Sequence, residues 1–138
     1  MKDRTDVSAD IITCSTPMCL LDDDGPGTQI DADMVFDPAD PYAMSIVFHT
    51  GAPVTWTFGR DLLIEGIYEP AGVGDVQVWP CLVESGAAVV MIELVAPDGA
   101  VMLQVASRVV ADFITRMLRV VPIGAEGVDV DAALAALL

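Results

Sequence analysis

The sequence predicts an α+β domain: antiparallel strands with two main helices among and after them and a short C-terminal helix. Three observations carry this. Apolar and polar residues alternate with period two through the first two-thirds of the chain. One long stretch, Arg108 to Val121, switches to helical period. The strand-like runs follow one another through short turns instead of alternating with helices, so the order is not a βαβ series. The expected total is about seven strands.

In chain order, residues 1–10 read as a solvated lead-in. Ile11 to Leu21 is the first strand, and Pro17, which has no amide proton, confines it to an edge or a break. Asp22-Asp23-Asp24-Gly25-Pro26-Gly27 is turn chemistry. Ile30, Ala32, Met34 and Phe36 then alternate with Gln29, Asp31 and Asp33, one face for the core and one for water. Met44, Ile46 and Phe48 repeat the pattern. His49-Thr50-Gly51-Ala52-Pro53 turns the chain into Val54, Trp56 and Phe58, with Thr55 and Thr57 outward.

A short helix is predicted over Arg60 to Glu69, with Leu63, Ile64, Ile67 and Tyr68 docking and Pro70 and Gly72-Val73-Gly74 ending it. Strand signals resume at Asp75 to Trp79. Val89-Val90-Met91-Ile92 is apolar on both faces, which fits a central strand covered on both sides or a subunit interface. Ala96-Pro97-Asp98-Gly99 turns into Val101 to Ala106. The long helix takes Ser107 as its N-cap and buries Val109, Val110, Phe113, Ile114, Met117, Leu118 and Val121; Arg108, Asp112 and Arg116 form a ladder on the opposite face. Pro122 and Gly124 end it, and a last helix from Asp129 or Asp131 through Leu138 must dock on something.

The chain has 138 residues, enough for one domain (1–138) with its own core, and 54% of them are hydrophobic. Its 6 Lys and Arg against 21 Asp and Glu give a formal charge of −15. That charge argues against simple electrostatic binding to DNA, RNA or anionic lipid, all of which need basic patches. No run of 18 apolar residues reaches membrane-spanning length, and Met1 to Asp6 lacks an apolar leader, so the expectation is a cytoplasmic protein. Cys14, Cys19 and Cys81 are an odd count outside any CxxC pair and read as free thiols.

The candidate sites read as structural. Asp22-Asp23-Asp24-Gly25 lacks the alternate ligands and closing glutamate of a calcium loop. Asp31, Asp33, Asp37 and Asp40 are close in sequence, but Asp31 and Asp33 alternate with core residues and face solvent. His49, the only histidine, reads as a hydrogen-bonded structural residue rather than a base for Thr50. Gly72-Val73-Gly74 lies between helix and strand, the reverse of a dinucleotide loop. Trp56 and Trp79-Pro80 read as packing, and Arg60-Asp61 as a local ion pair. No catalytic, metal or cofactor site is expected. The one concentration of basic side chains is Arg108, Arg116 and Arg119 on one predicted helix, where an acidic partner could be met.

Several segments together resemble one family. Asp40-Pro41-Tyr42-Ala43-Met44 leads into Phe48-His49-Thr50-Gly51. Trp56-Thr57-Phe58-Gly59-Arg60-Asp61-Leu62-Leu63 follows with Glu65-Gly66, and then Gly72-Val73-Gly74-Asp75-Val76-Gln77-Val78-Trp79-Pro80. Their order and spacing resemble the SsgA-like sporulation and cell-division proteins of actinobacteria, the SsgB type in particular, over residues 28–138. The resemblance implies a non-enzymatic regulator that selects septum sites and recruits the tubulin-like GTPase FtsZ with an SsgA-type partner. It also implies a Whirly-like fold, homotrimers, and a location at division septa. Phe58, Leu62, Leu63 and Trp79 within these motifs read as packing. A Whirly-like fold brings in a second reading, single-stranded nucleic-acid binding, but a trimer would carry −45, three times −15. A third reading is a small-molecule-binding regulatory domain with a pocket between sheet and helix, which a thermal-shift screen would reveal.

Overall fold

The computed structural model describes residues 10–22 and 25–126. The elements are β1 (Ile12–Asp22), β2 (Gly25–Phe36), β3 (Ala43–Phe48), β4 (Val54–Gly59), α1 (Arg60–Gly66), β5 (Ala71–Val73), β6 (Val76–Leu82), β7 (Ala88–Ala96), β8 (Gly99–Ala106) and α2 (Ser107–Val120). All eight strands join one antiparallel sheet in the order β4-β3-β2-β1-β8-β7-β6-β5. Four strands and a helix therefore occur twice, and the two meanders meet where Cys19, Leu20 and Leu21 of β1 pair with Gln104, Leu103 and Met102 of β8.

Alternation sets the two faces. Ala32, Met34, Phe36, Met44, Ile46, Phe48, Val78, Val90, Ile92, Leu103 and Val105 point to the concave side and form the core with Leu63 of α1 and Val110, Phe113 and Met117 of α2. The other face is polar over the first meander. Ser45 and Thr57, directly paired across β3 and β4, hydrogen bond at 2.7 Å. Curvature follows from the core itself. Val54 and Trp56 of β4 and Leu94 of β7 line one cavity, although in a flat sheet five strand spacings would hold them about 24 Å apart.

The eighth strand is β5, which overlaps the Gly72-Val73-Gly74 segment that reads as a helix stop. Gly74 at φ +58° makes the turn by which Ala71–Val73 pairs back onto β6. Pro17 keeps its place because β8 pairs with β1 only from Cys19 onward, leaving Pro17 bonded on the β2 side alone. α1 stops at Gly66, short of the predicted Glu69. Tyr68, predicted to dock, is 83% exposed. Ser107 is the first residue of α2, not its cap: Ala106 holds that position, without a side-chain hydrogen bond. β7 lies between β6 and β8, and Val89, Val90, Met91 and Ile92 are all buried, as a central strand requires. The stripe of α2 is buried or half-buried as its spacing predicts. The predicted C-terminal helix, Asp23, Asp24 and most of the lead-in lie outside the described residues.

Candidate functional site

Three groups of polar side chains stand out. The first is on the convex face at the β1–β2–β3 junction. The register Ala32↔Phe48 sets His49 beside Asp31, whose carbonyl accepts the His49 amide at 2.9 Å. The ring then reaches diagonally, and His49 Nε2 lies 3.0 Å from Asp33 Oδ2. From β1, Ser15 Oγ donates to Asp33 Oδ1 at 2.6 Å. The Asp33 carboxylate sits between the Ser15 hydroxyl and the His49 imidazole. Thr50 is occupied as well, its Oγ1 donating to Ala52 O at 2.6 Å. His49 is the hydrogen-bonded structural residue that its position predicts. Asp33, expected to be simply solvated, is the acceptor that ties three strands together.

The Ser15 hydroxyl, and then the His49 ring, hold the Asp33 carboxyl below its ordinary 3.8. A lowered folded value means that Asp33 stabilises the fold above pH 3.8 and that this contribution is lost as pH falls through the lower value. Asp33→Asn is therefore expected to be less stable than the parent at neutral pH and to converge with it in acid. Urea denaturation across the acid range measures both limbs. Parallel curves would remove Asp33 from the pH dependence.

The second group surrounds Arg60. Expected to form a local ion pair with Asp61, it is 0% exposed and pairs elsewhere, while Asp61 is exposed. Its amide donates to Tyr42 O at 2.8 Å, which fixes the β4–α1 corner. The guanidinium crosses the core beneath Phe36, 5.4 Å from the ring centroid. Nη2 then reaches Pro122 O at 3.2 Å and Glu126 Oε2 at 3.1 Å. Glu126 Oε1 accepts the Gly124 amide at 2.7 Å, with Gly124 at φ +87°, so the chain after α2 folds back onto the arginine. A hydrogen bond from its own backbone amide, then the Arg60 guanidinium, lowers the Glu126 pKa from 4.5.

The third group is on α2. Arg116 is partly buried and spends Nη2 on Thr13 O of β1 at 3.2 Å, while Arg108 and Arg119 are exposed. The fold thus leaves two of the three predicted arginines facing solvent and turns the third into a strut. Asp31, Asp33, Asp37 and Asp40 do not converge: among the described residues no three His, Cys, Asp or Glu side chains gather as metal ligands. Cys14, Cys19 and Cys81 are free thiols. Phe58, Leu62 and Leu63 are buried, in agreement with their reading as packing, and Trp79 is half-buried. Among the described residues no helix is long and apolar enough to cross a membrane.

Comparison with known proteins places these features in a lineage. Residues 30–126 match the family model described as Streptomyces sporulation and cell division protein, SsgA. The chain is 41% identical over 133 residues to the sporulation-specific cell division protein SsgB of Frankia casuarinae, covering 94% of this chain and 92% of the relative. It is 39% identical over 117 residues to SsgB of Streptomyces coelicolor, covering 83% and 85%. Among solved structures, the SsgA-like sporulation-specific cell division protein of Thermobifida fusca superposes with a TM-score of 0.81 at 33% identity, over 97% of this chain and 100% of that one. A structure from work on SsgB mutations that correlate with longitudinal cell division in sporulating Streptomyces coelicolor gives 0.79 at 37%, over 88% and 96%.

Proposed function

The chain belongs to the SsgA family of sporulation and cell division proteins, and from that premise we propose that it is a non-enzymatic regulator of sporulation-specific division that helps select septum sites and recruits FtsZ. The observation that carries this reading is identity of 41% and 39% to two proteins named SsgB, across most of both chains. A role in sporulation cell division rests directly on that likeness. Septum-site selection, FtsZ recruitment, an SsgA-type partner, a homotrimeric state and residence at septa are the finer content of the proposal.

The charge supports protein partners over polyanions. At −15 per chain, a trimer would repel a phosphate backbone from every side that lacks a basic groove. Among the described residues, Arg108 and Arg119 are the exposed cations that an acidic partner surface would meet. Co-sedimentation with FtsZ polymers, with and without an SsgA-type paralogue, tests the reading. The protein is expected to pellet with polymers in at least one condition, and failure in both would remove direct recruitment. Single-stranded nucleic acid titrated at low salt, where phosphate contacts are strongest, is expected to show no binding. Tight binding there would reverse the ranking.

A further inference from the structure

We propose that the open end of the curled sheet is a docking cavity for a cationic, apolar-anchored segment of a partner protein. The helices fill only one half of the concave face. At the other half, where β1–β2, β3–β4, β5–β6 and β7–β8 turn back, Ile30, Phe48, Trp56, Leu94 and Leu103 surround a cavity of about 190 Å³, with Thr50 the only polar side chain in its wall among the described residues. No residue of α1 or α2 lines it. Its rim is apolar and wet: Val54 is 46% exposed and Val101 42%. Apolar surface in a concave setting, already curved to receive a side chain, gains from burial by a partner.

The charge around the cavity says what kind of partner. Asp98 is at the tip of the β7–β8 hairpin, whose pair Leu94↔Val101 lines the cavity. Asp75 lies beside that hairpin, its carbonyl accepting the Val95 amide at 2.9 Å. Both side chains are exposed. The four arginines among the described residues all belong to α1 and α2, away from this rim. Bulky apolar anchors flanked by Lys or Arg therefore complement the site in both shape and charge. Residues 127–138, whose charged side chains are Asp129 and Asp131, would bring like charge to the rim, and so would the surface of a second copy away from its exposed Arg108 and Arg119.

This inference rests on the reading that the protein works through protein partners, and it names the surface. The test is a titration of the full chain with a synthetic amphipathic Lys/Leu peptide, read as Trp56 emission in a Trp79→Phe background. A saturable blue shift is expected, about ten-fold weaker at high salt and in Val101→Asp or in Asp75→Lys with Asp98→Lys. An Asp/Leu peptide and a Lys/Ser peptide are expected to leave the emission unchanged. An emission that does not move, as with a cavity already filled by the chain itself or a second copy, overturns the proposal. So does an equal response to either control peptide, or a Val101→Asp protein that binds like the parent. In FtsZ co-sedimentation, a pelleting parent with an equally pelleting Val101→Asp variant defeats the docking surface alone. A parent that never pellets defeats the FtsZ reading and leaves the peptide titration to decide the cavity.

Discussion

Arg60→Ala is expected to destabilise the domain by about 3–5 kcal/mol, because Arg60 is the one charged side chain buried among the described residues. The side chain is among the largest fully buried ones, so truncation opens a cavity against Phe36. It also strips Pro122 O and Glu126 of their partner and frees the chain after α2 from the β4–α1 corner. Arg60→Met separates the two parts: it restores most of the volume and none of the hydrogen bonds, and should recover about half of the loss. Glu126→Gln, which keeps the shape and removes the charge, is expected to be destabilising at neutral pH. The lowered Glu126 carboxyl makes the sign definite. Its contribution is full above 4.5 and lost as pH falls through the lower folded value, so parent and Glu126→Gln should converge in acid. Urea denaturation of the three variants measures this. An Arg60→Ala protein as stable as its parent would mean that the arginine is a passenger in the core.

The same arginine shows where sequence legibility stops. Strand alternation and the helical stripe are local signals, and by periodicity alone they assign Met34, Ile46, Phe48 and Phe113 to the core. The pairing of Arg60 with Glu126 joins residues 66 positions apart, and no local pattern encodes it. Charge reasoning pairs an arginine with the aspartate beside it, and only its position at the corner between two buried elements argues otherwise. β5 escapes for a related reason: three residues flanked by Pro70 and Gly74 read as punctuation, and their strand character comes entirely from pairing with β6. The docking cavity is invisible in the sequence because its walls come from several strands, each contributing one or two residues that look like ordinary core. The acidic balance is legible at once, and it becomes informative only when the fold places Asp75 and Asp98 beside an open apolar end.

Gly66→Ala is expected to destabilise by about 2–3 kcal/mol, against the direction that helix propensity alone would give. Gly66 ends α1 with an ordinary φ, so its backbone accepts alanine, and the substitution should by itself favour the helix by up to about 1 kcal/mol. Packing reverses the sign. A methyl group at Gly66 would overlap the Val78 side chain, standing 2.6 Å from its Cβ and 3.1 Å from its carbonyl oxygen. Val78 is fully buried in β6, and the Gly66 backbone packs directly against it. Relief requires moving α1, and α1 begins at Arg60, so the displacement loads the same corner that the arginine secures. The double variant Gly66→Ala with Val78→Ala gives the decisive measurement. Val78→Ala alone leaves a cavity costing about 2 kcal/mol, and the methyl group added by Gly66→Ala would fill part of it. The pair should therefore cost clearly less than the sum of the two single changes in urea denaturation. Strict additivity would show that helix and strand do not meet at this position, and a Gly66→Ala protein more stable than its parent would show that α1 withdraws from β6 at negligible cost.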